Sequence, residues 1–275
     1  MLEAVTMDLC PLPSSKGDSM SVAAVSGASD QDLREKVALV VGGTQNMGLA
    51  VAEELAGRGA AVVVSYAHDG QAASEAEQRL KALGAQAQAV HADASKADDT
   101  ARLFEHVISQ FGRVDIVVHM PGAILKKPLV EFTDEEYDGL MDLNARSAFL
   151  TLRESARRVS DNGRIVVLST NLTGSILGLY GVYAAGKAAA EIMVKAMAKE
   201  IAFRGVTVNV VTPGAVDTRF FHSQETPESV EAVIHFTAMQ RLGQPSDIAP
   251  VVGFLVSDRA GWITGQILRA NGGMF

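Results

Sequence analysis

The chain has 275 residues, 48% of them hydrophobic, and a formal net charge of -8. That length suits one large domain, which buries roughly three quarters of its unfolded surface, and it argues against a second full domain. The negative balance, with no cluster of Lys and Arg, argues against nucleic acid as a partner, because phosphate backbones are held by such clusters. Cys10, the only cysteine, excludes an intrachain disulfide and a cysteine-based zinc cluster, and it fits a reducing, cytoplasmic setting. No metal site is expected. Nor does any apolar stretch have transmembrane length without charges or turn residues, so no membrane association is expected.

The segment 1–33 is rich in Ser, Ala, Gly and Asp and lacks a basic start followed by a long apolar run, so it does not read as a signal peptide. It offers little apolar surface to offset ordering entropy, and a loose arm is expected, with partner docking as the other reading. From Lys36 onward, short apolar runs rich in Val and Ile alternate with longer stretches of helical composition. Val37–Val41 leads into Gly48–Arg58, Ala61–Ser65 into Gly70–Leu83, and Ala87–His91 into Ala97–Phe111. Val114–His119 then leads into Thr133–Arg158, Arg164–Ser169 into Gly181–Phe203, and Thr207–Val211, past a longer connection, into Pro245–Val256 and a final run, Gln266–Arg269. Uninterrupted apolar strands are what a parallel sheet covered on both faces requires. Strand alternating with helix throughout predicts an α/β chain: one Rossmann-type domain over 34–275, built on a doubly wound parallel sheet.

The first strand runs into Gly42-Gly43-Thr44-Gln45-Asn46-Met47-Gly48. A backbone that turns sharply there can approach a pyrophosphate, whose charge the free amides of a helix N-terminus stabilise. Gly42 and Gly48 fill the outer glycine places of a GxxxGxG spacing, and Asn46 stands where the middle glycine belongs. Asn is the non-glycine residue most tolerant of left-handed backbone, so the turn survives the replacement. Thr44, Gln45 and Met47 complete the loop as further cofactor contacts. Glycine-rich turns without a ligand are common; position after the first strand of an alternating chain is what favours a dinucleotide.

Tyr183-Ala184-Ala185-Gly186-Lys187 opens an Ala-rich helix. Residues one turn apart share a face, so the phenol and the ammonium reach the same place. A free phenol titrates near 10, and lowering it by about two units takes roughly 2.7 kcal/mol of differential interaction, which a neighbouring ammonium and an oxidised nicotinamide ring can supply. Taken alone, a Tyr and a Lys at this spacing are more often two residues on one side of a helix than a catalytic pair.

The loop, its order and the Tyr183–Lys187 helix together resemble the short-chain dehydrogenase/reductase family, over about 34–275. The resemblance implies a nicotinamide-dependent oxidoreductase that interconverts a carbonyl and an alcohol. It assigns Asp93, with Ala94, to the adenine, and it makes Asn144 the helix asparagine that holds a water next to Lys187. Pro213, Gly214, Val216 and Thr218, following Asn209, match the segment that contacts the nicotinamide carboxamide. Where the family usually has Asn-Asn-Ala-Gly after the fourth strand, this chain has His119-Met120-Pro121-Gly122. Pro121 and Gly122 are still counted as cofactor contacts, though proline removes a backbone donor. His119 is read as filling the vacated bracing position, with a catalytic base as the other reading. Counting back from Tyr183 by the family spacing gives Thr170 in the place of the catalytic serine. Adjacent strand residues face opposite ways, so Ser169 is not expected to serve.

In reduction, the carbonyl oxygen is expected to accept hydrogen bonds from Thr170 and Tyr183, with Tyr183 donating the proton. Lys187 is then expected to hold the ribose and stabilise the phenolate. The second strand ends at Tyr66, with Ala67 and His68 beyond it. An NAD enzyme of this family normally places a carboxylate there, which would repel a 2′-phosphate. Uncharged Tyr66 favours NADP(H), with Ser65, His68 and backbone amides to receive the phosphate. Asp69, and Gln45 in a place where many NADP-dependent relatives have a basic residue, keep NAD(H) open. The segment 218–244 is expected to form a lid over an apolar pocket, drawing on Phe220, Phe221 and, outside it, Leu172, Leu177, Leu179 and Tyr180. Reduction of a ketone or 3-oxoacyl substrate is the leading expectation, by likeness to polyhydroxynaphthalene reductases and 3-oxoacyl-carrier-protein reductases. An NAD-dependent alcohol, sugar or steroid dehydrogenase, or a non-catalytic nicotinamide sensor, are the alternatives. The resemblance also implies a homotetramer built on Thr133–Arg158, Gly181–Phe203 and Gly261–Phe275.

Overall fold

The computed structural model describes residues 31–275. Seven parallel strands form one sheet in the order β3-β2-β1-β4-β5-β6-β7: β1 Val37–Val41, β2 Ala61–Tyr66, β3 Ala87–His91, β4 Ile116–His119, β5 Arg164–Leu168, β6 Thr207–Pro213 and β7 Ile267–Ala270. The apolar runs form the central strands because both faces are covered. On one face α1 (Asn46–Gly57) and α9 (Pro245–Val256) pack over Val40, Val62 and Val118. On the other, α3 (Ala97–Phe111), α5 (Ser147–Arg158) and α6 (Gly181–Ile201) cover Leu39, Val117 and Val208. The remaining helices are α2 (Gly70–Ala82), α4 (Asp134–Met141), α7 (Arg219–His222) and α8 (Pro227–Phe236).

Strand order reverses at β1, whose neighbours are β2 and β4. A crevice therefore opens beyond the carboxyl ends of β1 and β4, where α/β sheets of this kind place ligands. The loops holding the expected cofactor and catalytic residues leave the sheet at those ends.

Three boundaries differ from expectation. Leu33 is buried, Gln31 Nε2 donates to Gly57 O at 2.9 Å, and Asp32 pairs with Arg58 at 2.6 Å. The folded unit thus includes residues 31–33, which had been assigned to the arm; the rest of that segment, with Cys10, lies outside the described residues. Helix α1 starts at Asn46 rather than Gly48, because the left-handed residue begins the helix instead of preceding it. The long stretch 133–158 is interrupted by a π-helical turn at Asp142–Arg146 between α4 and α5.

His119 is 1% exposed at the end of β4. Ser147 Oγ donates to Leu143 O at 2.6 Å, so the 3.3 Å contact with His119 Nε2 must be donated by the imidazole. Nδ1 then accepts from Thr151 Oγ1 at 3.0 Å. Both ring nitrogens tie β4 to the helix after it, which is the bracing role and leaves neither nitrogen free as a base. Burial, reinforced by the Lys187 charge, pushes the imidazole well below its usual range. As pH falls through about 6.5 the unfolded chain takes up a proton that the folded chain refuses, so His119 makes stability fall with acid. Denaturant titrations at pH 7 and pH 5 are expected to show a smaller loss of stability for His119→Gln than for the parent; equal losses would contradict a neutral, buried imidazole.

Candidate active site

The turn after β1 is built as a dinucleotide turn requires. Gly42 has φ +72°, and Asn46 has φ +50°, the left-handed conformation that replaces the glycine of the motif. A Cβ on Gly48 would lie 2.4 Å from Gly42 O, so strand end and helix start touch through this glycine. Gln45, the residue before α1, makes no side-chain cap. First-turn amides of α1 are thereby left to a ligand, and the bare backbone together with these uncapped amides fits a pyrophosphate.

At the adenosine end Tyr66 packs edge-on to His91, ring centroids 5.4 Å apart. Ser65 is buried and its Oγ accepts from Gly42 N at 3.2 Å. It shapes the turn and is not open to a phosphate, which corrects the suggestion that it binds one. His68 is exposed. Asp69 is committed elsewhere: its carboxylate caps α2 through Ala72 N at 2.9 Å and accepts from Gln45 Nε2 at 2.8 Å. Asp93 accepts from Ser95 N and Oγ at 3.0 and 2.7 Å, which holds its carboxyl below the usual range against the opposing effect of burial.

The four expected catalytic residues meet at the carboxyl ends of β4 and β5. Lys187 is 4% exposed, and its ammonium donates to Pro121 O at 2.7 Å and Leu168 O at 3.1 Å. An ammonium has three protons, so one remains for a ligand. Asn144 sits inside the π-helical turn, a device common at functional sites. The widened turn frees Leu140 O, which accepts from Asn144 Nδ2 at 2.9 Å; the same amide donates to Ala123 O at 2.8 Å and accepts from Ala123 N at 3.2 Å. Gly122 is essential to this meeting: a Cβ there would lie 2.8 Å from Lys187 Nζ and 2.9 Å from Asn144 Oδ1. The altered His119-Met120-Pro121-Gly122 segment therefore keeps the backbone groups and the final glycine that the lysine and asparagine need.

Thr170 and Ser169 face different partners. Ser169 Oγ donates to Glu191 Oε1 on α6 at 2.6 Å. Thr170 Oγ1 accepts from Leu172 N at 3.3 Å, which leaves its proton to donate. The Tyr183 phenol is buried beside Thr170. Burial pushes it up to about 12, opposed by the Thr170 hydroxyl and assisted by Tyr180. Lys187 is pushed down to about 8 by burial. Its ammonium is directed to two carbonyls, so the ion partnership expected between Lys187 and Tyr183 is not a direct hydrogen bond.

Over Tyr183 lies a cavity lined by Thr170, Leu172, Leu177, Phe220, Phe221 and Val233, with Phe220 6.5 Å from the Tyr183 ring. The lining confirms Leu172, Leu177 and the aromatic pair as cavity walls, whereas Leu179 is not among them. Helices α7 and α8 of segment 218–244 cover the cavity, and Thr218 caps α7 through Phe221 N at 3.3 Å. Sequence reasoning missed Ile124, Met274 and Glu225, which also line it. Met274 donates no pattern, being a lone thioether near the terminus, and Glu225 reads as an ordinary surface charge. Among the described residues no cluster of potential ligands could hold a metal ion, and no helix is long and apolar enough to cross a membrane.

A glycine-cradled turn and a Thr–Tyr–Lys–Asn set at the carboxyl end of one sheet define a dinucleotide-dependent oxidoreductase. Residues 41–275 match the family model described as enoyl-(acyl carrier protein) reductase. The chain is 36% identical over 250 residues to a probable tetrahydroxynaphthalene reductase of Zymoseptoria tritici, covering 86% of this chain and 93% of that one. It is 38% identical over 253 residues to versicolorin reductase 1 of Aspergillus parasiticus, covering 87% and 96%. A putative dehydrogenase of Burkholderia cenocepacia, solved with bound NADP, superposes with a TM-score of 0.85 at 35% identity, covering 90% of this chain and 96% of that one. The chain belongs to the short-chain dehydrogenase/reductase family.

Buried Lys187 and Tyr183 titrate oppositely on unfolding. Between about 8 and 10.5 the unfolded lysine holds a proton the folded one has lost, so stability rises with pH. Between about 10 and 12 the folded phenol keeps a proton the unfolded one has lost, so stability falls. Denaturation of the cofactor-free protein is expected to show Lys187→Met removing the rise, worth about 3 kcal/mol in full; an unchanged pH profile would contradict the burial of the ammonium.

Proposed function

We propose that the protein reduces a ketone with NADPH at Thr170, Tyr183, Lys187 and Asn144. The observation that carries this reading is the Thr170 hydroxyl set against the buried Tyr183 phenol, with its proton not committed to backbone and both side chains lining one mostly apolar cavity. The bound nicotinamide supplies the hydride. Thr170 Oγ1 and Tyr183 Oη donate hydrogen bonds to the carbonyl oxygen, and Tyr183 gives up its proton as the alcohol forms. The free proton of Lys187 holds the ribose, and its charge steadies the phenolate at short range. Asn144, fixed by three hydrogen bonds to backbone, holds the water through which the lysine exchanges protons. A phenol at about 12 is a poor proton exchanger near neutrality. The buried Lys187 ammonium is therefore the group of this chain that must favour loss of the phenol proton, and a bound oxidised nicotinamide would add a positive charge of the same effect.

NADP(H) is the cofactor of this reading. No carboxylate stands at Tyr66 to repel a 2′-phosphate, and Asp69 is occupied by Gln45 and the α2 cap. Bound NADP in the Burkholderia structure supports the same choice. The substrate class, a ketone carried on an apolar and partly aromatic framework, is supported by the cavity lining and by the names of the two fungal reductases. Residues 31–275 act as the catalytic domain, with 218–244 as lid, in a reducing, cytoplasmic setting.

The assembly is a homotetramer. Phe149 on α5 and Ile192 on α6 are 45% and 63% exposed, and Trp262, in the C-terminal segment, is 99% exposed. Large apolar side chains in the open on the helices and segment that the family resemblance assigns to the interface are what an interface leaves on a single subunit. Light scattering is expected to give a tetramer and Trp262→Glu a smaller species; a monomer at micromolar concentration would overturn the assembly.

Turnover of a panel of aromatic ketones with NADPH and NADH tests the function. NADPH is expected to be favoured at least tenfold. Thr170→Ala is expected to lower kcat by a factor of about 100 or more, as loss of a donor to a developing oxyanion does. Ser169→Ala is expected to lower it far less. The opposite order of the two variants would place the catalytic hydroxyl on Ser169.

A further inference from the structure

The cavity over Tyr183 is mostly apolar, and Glu225 is the one charged side chain in its lining. Glu225, between α7 and α8, has a side chain only 4% exposed and faces the cavity. Its Oε1 accepts from the Tyr180 phenol, while Oε2 accepts from Lys126 Nζ at 2.9 Å and Ser229 Oγ at 2.5 Å. Lys126 also stands 5.2 Å from the centre of the Tyr180 ring. Tyr180 and Tyr183 are three residues apart at the start of α6, so the two phenols share a helix face and line one cavity.

A carboxylate walled into an apolar space costs desolvation unless its lone pairs are used. Burial raises the Glu225 carboxyl, but the bonds from Ser229, Tyr180 and Lys126 outweigh it and hold the group ionised. A carboxylate has about four lone-pair sites; three are taken here. What remains is one lone-pair site on Glu225 and, because Lys126 also hydrogen-bonds the Tyr180 phenol, one on the Tyr180 oxygen, both on side chains that line the cavity. A latch for the lid needs only the Lys126 pair. It does not need a second phenol turned into the same cavity as the catalytic one.

We propose that Glu225 and Tyr180 form a specificity-determining hydroxyl reader: they accept a hydrogen bond from a hydroxyl group that the substrate carries away from its reacting carbonyl. This rests on the ketone-reduction reading of the same cavity. It selects hydroxylated frameworks over bare ones, because a bare ring edge would leave the acceptors unpaired. It also disfavours substrates with an anionic group at that end, which would meet the carboxylate.

The test compares a bicyclic aromatic ketone, 1-tetralone, with its ring-hydroxylated analogues, using parent, Glu225→Gln and Tyr180→Phe enzymes. Two readouts are taken: kcat/KM with NADPH, and calorimetric binding of the same ketones to the enzyme loaded with NADP+. At least one hydroxylated isomer is expected to be preferred by the parent by about 10- to 100-fold, the range for a hydrogen bond to a charged group. That preference should shrink to within about threefold in both variants. Because it is a ratio within each enzyme, a general loss of activity cancels. A parent with no preference among the ketones in either readout, or variants that keep the preference, overturn the reader. If the preference appears in binding and is lost in both variants while no ketone is reduced, the reader stands and ketone reduction falls. If ketones are reduced with equal kcat/KM and bound equally, the reverse holds.

Discussion

Lys187 carries a positive charge into a place almost closed to water, and the surrounding fold is arranged around satisfying it. Its ammonium rests on Pro121 O and Leu168 O, so the ends of β4 and β5 and the start of α6 are tied together by one residue. That closeness demands glycine at 122, where a Cβ would collide with both Lys187 and Asn144. It also demands glycine at 186, where a Cβ would lie 2.7 Å from Asn144 Cβ. A lone ammonium buried this way pays in a lowered proton affinity, and the direction of its shift, down to about 8, follows. Removing one of its carbonyl partners would loosen the edge that positions Thr170 and Tyr183.

Burial, reinforced by the same charge, keeps His119 a neutral brace. A second cation beside Lys187 in a dry interior would be repelled, and His119 remains neutral with both nitrogens committed to Ser147 and Thr151. At position 119 the departure from the usual Asn-Asn-Ala-Gly segment is thus a substitution of one neutral hydrogen-bonding side chain for another, while Met120 brings no such group. Pro121 keeps the carbonyl that the lysine uses, and the donor it lacks is not one the observed network calls on.

Much of this was legible in the sequence because it rests on period and spacing. Buried parallel strands appear as unbroken apolar runs, and the Gly42 to Gly48 turn and the Tyr183 to Lys187 step have fixed lengths. Asn46 in left-handed backbone was readable for the same reason, since few residues tolerate it. The alternation rule also separated Ser169 from Thr170, and their distinct partners agree with it. Other features leave no such trace. The π-helical turn at Asp142–Arg146 has ordinary helix composition, so no residue type announces it. Ser65 looked free because its partner, the Gly42 amide, is distant in sequence. Glu225 lies in a polar stretch, and only the fold shows that its carboxylate faces inward toward Tyr180. Leu33 seemed part of a tail because one apolar residue gives no period.

Hydride transfer from NADPH deuterated at the transferring position tests the central claim most directly, compared in parent and Tyr183→Phe enzymes with NADPH affinity measured alongside. The parent is expected to place deuterium on the carbinol carbon of the product. Tyr183→Phe is expected to bind NADPH as the parent does and to transfer deuterium at least about 100 times more slowly, as loss of a general acid does. Near-normal transfer by Tyr183→Phe with unchanged NADPH affinity would contradict the assignment of the proton to Tyr183.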